Sequence, residues 1–343
     1  MNIDSLNEGD ILVFEAAPNS PISKLIAKLT DSDVSHAAMY YNSSKHLIVE
    51  QTKPHVSTRS VANGFGDRKV YVRRLQGKLS LSPVIAAAKK SLDREDPYDW
   101  NGLILIAILL IYKRKHHPSE RTLSLLRLAT KKLRKQMNKD QIRKGKKPSV
   151  CSQFVAQCYE EAGSKAYKLR VVGGTLSAET QTGSLRASSG QGLEKDLVQR
   201  ALERLEKRPE ISRTFSAFPE SDEVADDATI DASIEQACSA ILAELEPPDP
   251  NQAETDTQVQ PNQATLQHES QERLEEDFLD AVEEFALAYE LLGSTEADQT
   301  PKNVDLRRTA LQGLATLGSG FVTPADLKDH TTNLDKLGEI RPT

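Results

Sequence analysis

Three side chains in this sequence could do acyl chemistry together: Cys151, His36 and Glu50. A thiol nucleophile needs a base within hydrogen-bond reach, and the base needs a group to orient it. Cys151 lies in the run Ser149–Gly163, where apolar positions 151, 154, 155, 158, 159 and 162 recur at helical spacing. Ser149 is expected to cap this helix, Pro148 stops anything helical before it, and Gly163 suits its end. That puts Cys151 in the first turn, where unpaired N–H groups and the helix dipole favour a thiolate. Cysteine is also among the most buried residue types, and Cys158, seven positions on, reads as plain core. The question is therefore whether the chain supplies a base.

His36 is the one imidazole among the small and apolar residues of Asp33–Tyr41, and Glu50 lies in the strand-like run His46–Thr52. A lone histidine in such a run is more often a satisfied core residue, and a lone strand glutamate usually points to water. The two acquire meaning only if they meet. A hairpin with the three-residue loop Asn42–Ser44 would pair Tyr41 with Lys45 and put His36 directly opposite Glu50. A slip of one residue would bring Gln51 there instead. An imidazole beside a buried carboxylate is held in one tautomer, with its charged form stabilised. His46, His55, His116 and His117 lack such a setting and read as surface.

The elements that must position these residues follow from the local pattern. Gly9–Asp10 is a turn before the strand-like Ile11–Phe14, and Pro21–Thr30 suits a short helix. Val70–Leu75 reads as another strand, Ser82–Leu92 as a helix opened by Ser82–Pro83, and Pro97–Gly102 as a turn. Leu103–Ile111 is nine apolar residues in a row, short of the roughly 20 that span a bilayer, and reads as a buried helix. Lys113–Lys115 directly behind it leaves an interfacial anchor on anionic lipid as the other reading.

The charges separate along the chain. Residues 113–147 hold 14 Lys and Arg against two acids, and residues 214–300 hold 23 Asp and Glu against one base, Arg273. The basic stretch fits a solvated helix, a membrane surface, nucleic acid or an acidic partner, and charge alone does not choose among them. No aromatic interleaves its cations, so a platform for stacking bases is unsupported and no nucleic-acid partner is expected. Val171–Gly192 reads as a loop and Leu193–Lys207 as a helix. The run from Pro247 to Gln267 is expected to be disordered, Leu274–Leu292 and Asp305–Leu317 helical, and Phe321–Leu327 ends the ordered pattern. Three cysteines without a CxxC argue against a disulfide framework or a zinc site, so no metal or cofactor is expected. Residues 1–25 show no basic start followed by an apolar run, which makes a reducing cytoplasm, with or without peripheral membrane contact through 103–147, the expected setting.

Taken in order, Gly9-Asp10-Ile11-Leu12, Ser35-His36-Ala37-Ala38, Val49-Glu50, Tyr98-Asp99, Cys151-Ser152-Gln153-Phe154-Val155 and the closing Val322–Leu327 resemble the circularly permuted papain-fold cysteine hydrolases of the YiiX/YaeF type. These are cousins of the NlpC-like cell-wall peptidases. The resemblance covers about residues 5–170 and 318–330. It implies an α+β fold, a small antiparallel sheet packed on the Cys-bearing helix. It also implies Cys151 as nucleophile, His36 as base and Glu50 as orienting group, in metal-free hydrolysis of an amide or related acyl bond. His precedes Cys, the reverse of the papain order, as a permutation would give.

The domain organisation expected on this basis is a catalytic core at 1–171 that includes the basic segment 113–147, an acidic helical or disordered insertion at 172–303, a closing segment at 304–335 and a tail at 336–343. The expected substrate is a peptide, cell-wall fragment or lipid with an amide or acyl bond. A membrane-associated acyltransferase or lipid hydrolase using the same residues is the alternative. A second alternative is a non-enzymatic protein that binds partners through the acidic insertion, or whose insertion docks on its own basic segment.

Overall fold

A computed structural model describes residues 1–115, 118–137, 149–175, 193–207, 227–245, 261–293, 307–313 and 321–341. The chain is α+β and divides into two compact units: 1–103 with 143–192 and 319–343, and 104–142 with 193–318.

The first unit is built on six antiparallel strands: β1 (Ile11–Glu15), β2 (Val34–Asn42), β3 (Leu47–Gln51), β4 (Val56–Ser60), β5 (Val70–Leu75) and β6 (Leu334–Ile340), in the order β4-β3-β2-β1-β5-β6. Around them run α1 (Pro21–Leu29), the one-turn α2 (Val61–Phe65) and α3 (Ser82–Arg94). Trp100 opens α4 (Trp100–Lys115), so the expected 97–102 turn ends three residues early, at Asp99. The helix of interest is α6 (Cys151–Glu161), which follows α5 (Glu120–Met137) in the chain.

The sheet's alternation sorts its side chains into two layers. Ile11, Val13, Ala37, Met39 and Val49 join Phe154, Val155, Cys158 and Tyr159 of α6 in one core. Leu12, Phe14, Ala38, Tyr40 and Ile48 form the other, closed by Val61 and Phe65 of α2. The small Ala37 lets the helix approach β2, and the Tyr159 hydroxyl reaches through to donate to the Gly9 carbonyl at 2.6 Å. Gly9 stands at φ +93°, and a Cβ there would run into Leu81, so this turn requires glycine.

Two strands were not expected. β4 carries the polar Val-Ser-Thr-Arg-Ser at the sheet's edge, without the apolar alternation that marks a strand. β6 occupies most of the expected tail and pairs with β5 through Val70↔Ile340 to Leu75↔Leu334. The ordered pattern therefore runs on past Leu327. A helical turn, Asp326–His330, precedes β6, and the Asp326 carboxylate binds the N–H groups of Thr323 (2.8 Å) and Thr175 (2.7 Å).

The second unit is helical. Within it, α5 packs against α8 (Asp227–Leu245) and α9 (Pro261–Gly293), and α7 (Leu193–Lys207) against α9. Residues 307–313 are helical as well. Leu123, Leu126 and Leu133 of α5, Ile234 and Ile241 of α8, and Phe278 and Phe285 of α9 are all buried.

The charges that separate in sequence meet here. Arg121 pairs with Glu244 at 3.2 Å, Arg127 with Asp277 at 3.3 Å, Arg200 with Glu275 at 2.8 Å and Arg204 with Asp280 at 2.7 Å, and Lys132 bonds Asp231. This corrects the expected organisation. The basic helix belongs with the acidic insertion rather than with the sheet, because its apolar stripe and its cations are both matched there. Residues 307–313 also fall in this unit, not in the closing segment. The stretch expected to be disordered begins α9 from Pro261 on, and its earlier part lies outside the described residues. No helix among the described residues is long and apolar enough to cross a membrane.

Candidate active site

The chain enters α6 along a short fixed path. Ser149 donates its N–H to the Pro97 carbonyl at 3.3 Å and accepts from the Asp99 N–H at 2.9 Å. Val150 is the N-cap residue, with φ −91° and ψ 169°, and no side chain caps the helix. Ser149 therefore stands one residue before the cap position, its backbone held in the bridge to Tyr98, and does not make the expected cap. The first turn carries no acid that would oppose a thiolate. Apolar burial of Phe154, Val155, Cys158 and Tyr159 fixes the helix axis, leaving Cys151 as the buried residue at its start.

The β2–β3 pairing differs from the expected one by two residues. Ala38, not His36, lies opposite Glu50, because the ladder shifts between Tyr40 and Asn42 and the connection runs on to Leu47. A shift of two keeps every side chain on its face. His36 and Glu50 become diagonal neighbours on one side of the sheet, and the His36 Nε2 to Glu50 Oε2 distance is 2.7 Å. The intended contact survives through a different rung.

The same offset opens a place for the sulfur. The Tyr40 N–H goes to the Asp10 carbonyl, so even-numbered residues of β2 bond towards β1 and odd-numbered ones face β3. The β3 ladder ends at Ala38↔Glu50, and there the Ala37 N–H is given to Cys151 Sγ. The Ser152 N–H is a second backbone donor to that sulfur. With Nε2 engaged by Glu50, it is Nδ1 of His36 that serves the hydrogen bond to Cys151. The imidazole also lies against Phe14, ring centroids 5.3 Å apart.

The electrostatics favour an ion pair. Burial opposes a charged His36, but the Cys151 charge and hydrogen bond, reinforced by Glu50, outweigh it and raise its pKa to about 9. Burial likewise pushes the Cys151 thiol up, yet the His36 imidazolium and the Ala37 and Ser152 amides bring it below its ordinary value. Burial also raises Glu50, and His36, Arg59 and Arg68 together reverse that and hold it ionised. Cys158 has no imidazole or amide donors acting on it, and burial, with Glu161 and Asp96 adding to it and Arg94 opposing it, pushes its thiol far up, as expected of plain core.

Two further groups at the site carry no signal in the sequence. Arg59 Nε is 3.0 Å from Glu50 Oε1, the oxygen that His36 does not use. Arg68 acts on both Glu50 and Cys151. Arg59 comes from the unexpected β4 and Arg68 from the turn after α2, so no spacing in the sequence ties either to Cys151. Of the other histidines, His46 is exposed and its Nδ1 meets the Tyr40 hydroxyl at 3.1 Å. His55 is half-buried, and His116 and His117 lie outside the described residues. No cluster of three or more metal-binding side chains occurs among the described residues. Compared with family models, with curated proteins and with solved structures, the chain matches none.

Proposed function

We propose that this protein is a cysteine hydrolase that cleaves an amide or related acyl bond through Cys151, His36 and Glu50. The observation that carries this reading is one continuous set of contacts: sulfur at a helix start, imidazole Nδ1 towards it, and carboxylate 2.7 Å from Nε2. A buried thiol in plain core would have its ionisation suppressed, as Cys158 does, rather than promoted. The reading also agrees with the resemblance to permuted papain-fold hydrolases, in which His comes before Cys along the chain.

The chemistry runs in two halves. The thiolate attacks the acyl carbon, the C–S bond forms, and the carbonyl electron pair moves onto oxygen. The Cys151 backbone N–H, at the first helical position and so without an intrahelical acceptor, faces the developing oxyanion. As the intermediate collapses, the leaving group takes the Nδ1 proton of His36. Neutral His36 then takes a proton from water, whose oxygen attacks the acyl carbon and releases the acid. The thiolate–imidazolium pair is restored. Glu50 keeps its charge throughout and holds the ring, as the third member of such a unit does.

The partner-binding alternative is weaker, because Asp231, Glu244, Glu275, Asp277 and Asp280 of the insertion are already engaged by cations of their own unit. The same pairs occupy Arg121, Arg127 and Lys132 of the basic helix, which lowers its appeal as a lipid contact. The test is covalent labelling of the full-length chain by an acyl-type thiol probe. Labelling at Cys151 is expected, with a loss on the order of 10³-fold in His36→Ala and complete loss in Cys151→Ala. Undiminished labelling of Cys151 in His36→Ala would overturn the reading.

A further inference from the structure

Arg68 is placed beside the site but is not used by the chemistry. It lies in the turn between α2 and β5, with Nη2 donating to the Gly64 carbonyl at 3.1 Å. Its guanidinium carbon stands 4.8 Å from the centre of the Phe14 ring, the ring that contacts His36. Phe65 packs edge-on to Phe14 at 5.7 Å and holds this aromatic shelf in place. Among the described residues the Gly64 carbonyl is the one hydrogen-bond acceptor that Arg68 has, which leaves most of its five N–H donors open. The nearby carboxylate, Glu50, contacts His36 through Oε2 and ion-pairs with Arg59 through Oε1, an oxygen that takes no hydrogen bond, from Arg68 or any other donor among the described residues.

We propose that the site selects substrates carrying an oxyanion, a carboxylate or a phosphate group, near the scissile acyl bond, with Arg68 as its receptor and Arg59 as a second, more exposed arm. This rests on the hydrolase reading and adds the substrate class to it. The charge balance supports it. Cys151 and Glu50 supply two negative charges, and His36, Arg59 and Arg68 three positive ones, so this group of five carries one positive charge in excess. Burial weighs against a charged Arg68 and Glu50 offsets part of that, but its donors remain unfilled. A purely structural arginine distributes its fork over several carbonyls or a carboxylate. A half-buried fork resting on the ring that contacts His36, with one anchoring bond and its other donors unfilled, is suited to bidentate oxyanion binding.

The experiment compares alkylation of Cys151 in the full-length protein by iodoacetate and by the neutral iodoacetamide at low salt. The imidazolium alone favours the anionic reagent, so the quantity read is the change in the iodoacetate-to-iodoacetamide rate ratio on altering Arg68. Arg68→Met is expected to lower that ratio about fivefold, while Arg68→Lys keeps most of it. Acetate and inorganic phosphate are added separately as protecting ions to the wild type. The one that slows alkylation there, and less in Arg68→Met, identifies the carboxylate or the phosphate class. An unchanged ratio in folded Arg68→Met would overturn the proposal. So would, if that variant does not fold, a wild type that neither ion protects. Iodoacetamide reacting no faster with Cys151 than with the unfolded chain would instead remove the hydrolase reading beneath it.

Discussion

The two units of this molecule spend their charges in opposite ways. In the helical unit, cations of α5 and α7 meet acids of α8 and α9 one by one along packed helices, with Arg127 and Asp277 each at least half exposed. Pairs of that kind sit over an apolar seam and add little to it individually. In the sheet unit, by contrast, charges near the start of α6 gather around one sulfur, where burial makes each interaction count. The first arrangement joins segments that are distant in sequence. The second sets the protonation state of three side chains. Similar ion pairs thus join packed helices in one unit and, on the proposed reading, prepare a thiol for reaction in the other.

The largest effects should come from the apolar core that each unit has of its own. Phe154 of α6 and Phe285 of α9 are each almost fully buried, and truncation to alanine is expected to cost about 3–5 kcal/mol in either case. Calorimetric melting of the two variants would sharpen the contrast: Phe154→Ala should lower stability and abolish Cys151 labelling together, whereas Phe285→Ala should lower stability alone. Next comes Glu50→Gln, which removes the charge behind His36 while keeping the shape. Acyl-probe labelling is expected to fall by roughly 30-fold, the equivalent of about 2 kcal/mol for a charge-assisted bond. The His36 pKa, no longer supported by the carboxylate, should drop from about 9, as an NMR titration of the ring would show.

In the helical unit, Lys132→Ala removes a buried partner of Asp231 and should cost about 2 kcal/mol. The smallest effect belongs to Arg127→Ala, less than about 1 kcal/mol in chemical denaturation and smaller still in high salt. If Arg127→Ala matched Lys132→Ala, the division between solvated and buried pairs would fail.

Much of the site was legible in the sequence because its elements are strongly patterned. The apolar spacing from Cys151 to Ala162 could only be a helix with the cysteine at its start, and Ala37–Ala38 beside His36 marked a strand that a helix could approach. The pairing of β2 with β3 was not legible at the level of the rung. It depends on the irregularity between Tyr40 and Asn42, which no residue in the loop announces. The His36–Glu50 contact was nonetheless anticipated, because two-residue shifts preserve the face. β4 and β6 were missed for a common reason. Each lies at an edge, so one flank needs no partner and the apolar alternation that signals a strand is weak. Arg59 and Arg68 went with them, since a cation's role at a site depends on which carboxylate the fold brings near. The joining of the basic helix to the acidic insertion was legible as complementary charge. The place of that helix was not, because it adjoins the sheet unit in sequence while its apolar stripe is matched only by α8 and α9, far along the chain.

The most direct measurement is the pH dependence of Cys151 alkylation by iodoacetamide in the wild type and in His36→Ala. With a thiolate–imidazolium pair, the wild-type rate should rise with pH at values below the ordinary thiol pKa of 9.0, because His36 stays protonated up to about 9 and stabilises the thiolate over that range. Removing the ring should move the rise upward, since burial raises a thiol pKa and the Ala37 and Ser152 amides would be left to oppose it without the imidazolium. Two superimposable profiles would mean that sulfur and imidazole do not share a proton, contradicting the paired site.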